Sequence, residues 1–152
     1  MACELLQREF TNSKGETVLV VVRQLSASAA LSLHAELVSK LGSRVFPFIE
    51  GKYNFADIIY LMQQVEHTVF TELFKRVISM HSSIDGQEIK PALYDMQFNG
   101  ELMLSCHVFA FVLEANFLDF FKQGLEINEQ RRLEAEEASK LAEQKNSSPE
   151  TV

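Results

Sequence analysis

The stretch MLSCHVFAFVLEANFLDFF, residues 103–121, decides how the chain folds. His107, Glu114, Asn116 and Asp119 are its only strongly polar members. A segment of this length could cross a bilayer, form the buried helix of a small domain, or present an apolar surface to a partner. Insertion energetics separate the first option from the others. A central Glu or Asp costs about 2.5–3.5 kcal/mol in a membrane helix, whereas each Leu or Phe returns only about 0.3–0.6. Glu114 and Asp119 therefore offset most of the apolar gain, and no basic cluster or Trp/Tyr belt flanks the segment. The stretch reads as a soluble protein's helix, with no membrane role.

The rest of the composition agrees. A chain of 152 residues has room for one domain with a sizeable core, and its 47% apolar and 23% charged residues are ordinary for a globular protein. The formal net charge of −7 argues against generic nucleic-acid binding, which rewards clustered Lys and Arg. Cys3 and Cys106 match no metal or redox spacing and suit a reducing compartment. The start, MACELLQREF, places Glu4 where a signal peptide needs apolar residues, so a cytoplasmic location is expected.

Upstream of the deciding helix, residues 5–25 read as a β-hairpin: LLQREF and ETVLVVVRQL are rich in β-formers, and TNSKG (11–15) supplies turn chemistry. The unbroken run VLVVV predicts a strand covered on both faces. Ser26 or Ser28 can cap a helix with Leu31, Leu33, Leu37 and Leu41 at helical spacing, stopped by Gly42. SRVFPFIEGKYN (43–54) reads as a connector because Pro47 interrupts helices. Asn54 is a candidate cap for FADIIYLMQQ, and EHTVFTELFKRVISMH places Val69, Phe70, Leu73, Phe74 and Val77 on one stripe. SSIDGQEIKPALYDM reads as a short hairpin or loop. The last folded element runs from Gly100 to about Gly124. Beyond it, residues 125–152 read as a charged, solvated helix to about Glu143 and then disorder in KNSSPETV. The expected fold is mainly α with a small N-terminal β-hairpin: a compact helical bundle over 1–124 plus a charged C-terminal helix or tail.

A search for chemistry finds little. His34, His67, His81 and His107 are scattered without metal-ligand spacing, the glycines read as isolated turns or caps, and carboxylate pairs occur only in the solvated tail. No catalytic residue, metal or cofactor is expected. What stands out is aromatic: six of twelve phenylalanines fall between Phe98 and Phe121. Phe109, Phe117 and Phe120 share one broad helical face, with Phe111 and Leu118 nearly opposite and His107 and Glu114 close to that second face. A helix apolar nearly all round must be buried or paired with another chain. The candidate partner-binding residues are Phe109, Phe117, Phe120 and Phe121; a purely structural core helix is the competing account.

IDGQEIKPALYDMQFNGELMLSCHVFAFVLEANFLDFF (84–121) resembles the C-terminal half of the tail assembly chaperones of long-tailed bacteriophages. The likeness lies in the step Phe98-Asn99-Gly100, the helix after it, and its close on Asn116-Phe117-Leu118-Asp119-Phe120-Phe121. RQLSASAALSLHAELVSKLG and FTELFKRVIS are similar to the family's first and second helices, so the likeness covers roughly residues 20–123. The resemblance implies a non-catalytic, mainly helical protein of the host bacterial cytoplasm. Such a protein coats the tape-measure protein, helps recruit tail-tube subunits and is absent from the mature virion; it carries no catalytic or metal residues, and self-association is left open. The family is commonly made in two lengths by a ribosomal slip, and Gln144-Lys145-Asn146 is compatible with a slippery codon run, although that tripeptide is common by chance. The N-terminal strand and the long charged tail depart from many relatives. A secretion-type chaperone or adaptor, or a structural tail or connector protein, would share the same composition.

Overall fold

The computed structural model describes residues 4–147; Cys3 and residues 148–152, part of the stretch read as disordered, lie outside that range. The N-terminal hairpin pairs β1 (Leu5–Thr11) with β2 (Thr17–Arg23), and two short strands, β3 (Ser82–Ile84) and β4 (Gln87–Glu88), extend it into an antiparallel sheet of order β1-β2-β3-β4. Asn12 closes the first turn, its side-chain oxygen accepting from the backbone N–H groups of Lys14 and Glu16 at 3.0 and 2.9 Å. Asp85 and Gly86 both have positive φ, as a two-residue hairpin loop with the twist of its strands requires. Val18, Val20 and Val22 are buried while Leu19 is exposed and Val21 half-buried. The expected two-sided burial of this strand is therefore corrected. The β-branched run has one core face and one open face, because helices cover only one side.

Helix α1 (Ala27–Leu41) buries Leu33, Leu37 and Leu41; Leu31, expected on the same stripe, is exposed. Ser26 occupies the N-cap position without a side-chain hydrogen bond, and Gly42 ends the helix at positive φ. The segment around Pro47 is not a bare connector. A 3-10 turn (Gly42–Val45) leads into α2 (Phe46–Glu50), which carries Pro47 in its first turn, where proline's missing N–H has no intrahelical partner to lose. Val45, Phe48 and Ile49 from this segment are buried. Helix α3 (Phe55–Met62) starts with a full capping box: Asn54 accepts from the Asp57 N–H while Asp57 accepts from the Asn54 N–H, both at 2.9 Å. Helix α4 (His67–Ile78) buries Phe70, Leu73, Phe74 and Val77 of the expected stripe, with Val69 half-buried at its margin. A 3-10 turn (Pro91–Leu93) and α5 (Tyr94–Phe98) follow the second hairpin.

Helix α6 (Leu102–Ser147) begins with the deciding stretch. The chain divides between Leu118 and Asp119 into two units. In the first, Val108, Phe109, Ala110, Phe111, Val112, Leu113, Ala115 and Phe117 are all buried, so the helix is enclosed on every side. It is also the one element among the described residues long and apolar enough to cross a membrane, but 61% of its apolar window is buried inside the protein. In the second unit the helix is exposed and threaded with ion pairs, Arg132 with Glu129 and Glu136 at 2.5 Å. It passes through Gly124 unbroken, so that glycine is neither a turn nor a cap.

Each polar residue inside the buried stretch has a partner elsewhere in the chain. Arg8 of β1 donates to Glu114 at 2.5 Å and lies 4.7 Å over the Phe111 ring. The Leu25 N–H donates to Asn116, and the Gln24 amide donates to the Ala115 carbonyl, both at 2.8 Å. His107 hydrogen-bonds the Tyr53 hydroxyl and stacks on Phe10. His107 and Glu114, seven residues apart, thus bind separate partners.

Two predictions follow from this packing. Phe109 stacks on Phe74 at 4.9 Å and meets Phe48 edge-on, so Phe109→Ala should cost about 3–5 kcal/mol in a denaturant titration. Burial also holds the His34 and His107 pKa values below the usual 6.5. The unfolded chain then binds more protons than the folded one, so stability is full above about pH 6.5 and is lost as pH falls through the folded values. Glu36, held near pKa 2 by Arg76 and Lys40, adds a smaller loss below about pH 4.5, muted by solvent. Thermal melts should be level near pH 7–8 and fall below pH 6.5, with a shallower fall in His107→Gln.

Candidate functional site

The four phenylalanines singled out from the sequence do not form one surface. Phe109 is buried against Phe74 and Phe48, and Phe117 is buried with its ring edge-on to His34 at 5.1 Å. Phe120 is 58% exposed and Phe121 half-buried in the second unit. The first two therefore serve the core, and only Phe120 offers wide access to another molecule.

The accessible apolar feature lies elsewhere, in an open groove of about 380 Å³. Met62 at the end of α3 forms one wall. His67, Phe70, Thr71, Phe74 and Lys75 line it from α4, Tyr94 from α5, and Leu102 and Cys106 from the first turns of α6. An aromatic chain fixes the shape: Phe70 lies 5.8 Å from Phe74, Phe74 meets Tyr94 edge-on at 6.4 Å, and Tyr94 lies 5.4 Å from Phe98. The Tyr94 hydroxyl and Ser105 hydrogen-bond at 3.1 Å, and the Lys75 ammonium sits 5.2 Å over the Tyr94 ring. Burial raises the pKa of both the Cys106 thiol and the Tyr94 hydroxyl, so neither is ionised near neutrality. A thiol in that state is a poor nucleophile and acts here as a small apolar group. The lining residues include no carboxylate.

Met62 also ends an exposed apolar stripe on α3. Ile58 and Leu61 point into the core, whereas Phe55, Ile59 and Met62, at i, i+4 and i+7, are all exposed on the other face. Leu102, Met103 and Met96 are exposed as well. Methionine's flexible thioether suits surfaces that accept varied apolar partners. These side chains put apolar surface at the groove, on α3, on α5 and at the start of α6, a chemistry that can cover an apolar segment of another chain. A second hollow, about 270 Å³, lies between the β1–β2 turn and the start of α6. Its lining mixes polar and apolar groups, and its Glu101 carboxylate is already engaged by the Ser13 N–H at 2.9 Å and by the Ser13 hydroxyl. Among the described residues no group of three His, Cys, Asp or Glu is placed to hold a metal ion.

The groove was not anticipated from the sequence. The signal was present in FADIIYLM, whose apolar residues fall on two opposite faces of one helix, more than a single core contact needs.

The sequence model of the family described as phage tail assembly chaperone protein, TAC, matches residues 16–128, a span that contains the whole groove. No curated protein and no solved structure matches the chain. With well over half its length matched, the chain belongs to the phage tail assembly chaperone family.

Proposed function

We propose that the chain binds the tape-measure protein through the α3–α4–α5–α6 groove, keeps its apolar stripes from aggregating, and helps bring tail-tube subunits to it. The observation that carries this reading is the open apolar groove continued by the Phe55–Ile59–Met62 stripe, in a family whose members assist tail assembly. A tape-measure protein is a very long helix, and a helix with apolar residues at i, i+3, i+4 and i+7 is covered by a hydrophobic groove of this kind. The protein acts without catalysis, in the host cytoplasm, and leaves before the virion is complete.

Met62→Lys and Leu102→Lys place charges in the groove at exposed positions, so both variants should keep the wild-type melting temperature within about 1–2 °C. Each should lower co-purification with the tape-measure protein by at least about tenfold, equivalent to about 1.4 kcal/mol. Retained binding in both variants would remove the groove from the account. Mass spectrometry of purified virions should find no copy of the chain, and its presence there in stoichiometric amount would make it a structural tail component.

A further inference from the structure

The groove joins apolar walls to a positive charge that no described residue neutralises. Its α4 wall is the stripe His67, Phe70, Thr71, Phe74 and Lys75, at i, i+3, i+4, i+7 and i+8. The imidazole and the ammonium therefore stem from opposite ends of a run of about 12 Å, with the two phenylalanines between them. The Lys75 ammonium is held 5.2 Å over the Tyr94 ring, and a 3.1 Å hydrogen bond between the Tyr94 and Ser105 hydroxyls steadies that ring. Arg8, Lys40, Arg76, Lys90 and Arg132 each pair with a carboxylate, whereas the half-buried Lys75 pairs with none among the described residues. Glu72, on the preceding turn, and Asp95, beside Tyr94, are exposed, and neither forms an ion pair with it. An ammonium has three N–H donors, and a ring face does not satisfy them as a carboxylate does. Apolar walls alone accept an apolar helix in any register, because the hydrophobic effect is non-directional. A fixed charge at one end adds register and selection.

We propose that the groove selects acidic amphipathic helices: the client segment lies along α4, sets apolar residues against Phe70, Phe74 and Leu102, and places an Asp or Glu carboxylate on the Lys75 ammonium. Lys75 is then the residue that determines specificity. It turns away segments with Lys or Arg at the matching position by like-charge repulsion, while the aromatic wall supplies most of the cover. A docked helix also excludes water from the pair, which strengthens the attraction. This inference rests on the function proposed above, since it names the chemistry of the segment that the groove takes.

Fluorescence anisotropy of the full chain against labelled, overlapping synthetic peptides that tile the tape-measure protein tests the selection. Peptides that bind the wild-type chain and are lost in Leu102→Lys define the groove ligands, and each should carry a carboxylate at the margin of its apolar face. Lys75→Glu should weaken their binding at least about fivefold, and Lys75→Gln by less. Exchanging the matching acidic residue of the peptide for Lys should restore binding to Lys75→Glu and weaken binding to the wild type. A variant that was merely misfolded would lose every peptide and would not be rescued by that exchange. Groove ligands without an acidic residue overturn the proposal, as does unchanged affinity in Lys75→Glu or a loss that no single exchange in the peptide reverses. Any of these results, with Met62→Lys and Leu102→Lys still blocking binding, refutes the charge selection alone. Peptides that bind both groove variants as tightly as the wild type, or no peptide that binds at all, refute the groove reading and this inference with it.

Discussion

Residues 104–117 of α6 carry apolar side chains on every side, and the rest of the fold is the arrangement that keeps water away from them. One face of a helix can be covered by one neighbour, but a helix without a polar face needs a shell. The sheet supplies one part through Phe10 and Arg8, α1 another through His34, and α2 and α4 the aromatic wall of Phe48 and Phe74 against Phe109. Enclosure leaves the stretch's polar groups with little water, so each must find a protein partner. Arg8, Tyr53 and the backbone N–H of Leu25 meet that need at Glu114, His107 and Asn116. These contacts also set the register of the sheet and the β2–α1 connector against the helix, because each is made by one residue at one position.

The shell is incomplete at one end. Where α6 begins, Leu102 and Cys106 are faced by α4 and α5 with space left between them, and α3 ends beside that space at Met62. The groove thus exposes a part of the helix's apolar surface that the other described elements of the first unit leave uncovered. The same demand for apolar cover that folds the domain leaves it a surface suited to an apolar client, without any separate device for binding. The aromatic contacts among Phe70, Phe74 and Tyr94 and the flexible Met62 side chain combine a defined shape with tolerance for different side chains.

Most of the elements were legible in the sequence because their signals are local. The period change after Ser26, the Asn54 cap and the Asp85-Gly86 turn each depend on residues a few positions apart, and the structure contains all three elements. Readings that depended on distant residues fared less well. Whether VLVVV is covered on one face or two is decided by where the helices pack, and Pro47 starts a helix because its position in the turn matters more than its identity. Phe109 and Phe120 share a face on a helical wheel, yet one is buried and the other exposed, since the wheel cannot say where the surrounding shell ends. The groove was hidden for the same reason: its residues run from Met62 to Cys106 and converge only in the folded chain.

The central claim is that the enclosed first part of α6 holds the fold while the groove at its start meets the client. Hydrogen–deuterium exchange of the chain, free and bound to the tape-measure protein, tests this most directly. The account predicts that amides in 108–117 exchange slowly in both states, and that binding slows exchange in 55–75 and 94–106. Fast exchange through 108–117 in the free chain, or protection confined to the outer face of the sheet with the groove segments unchanged, would contradict it.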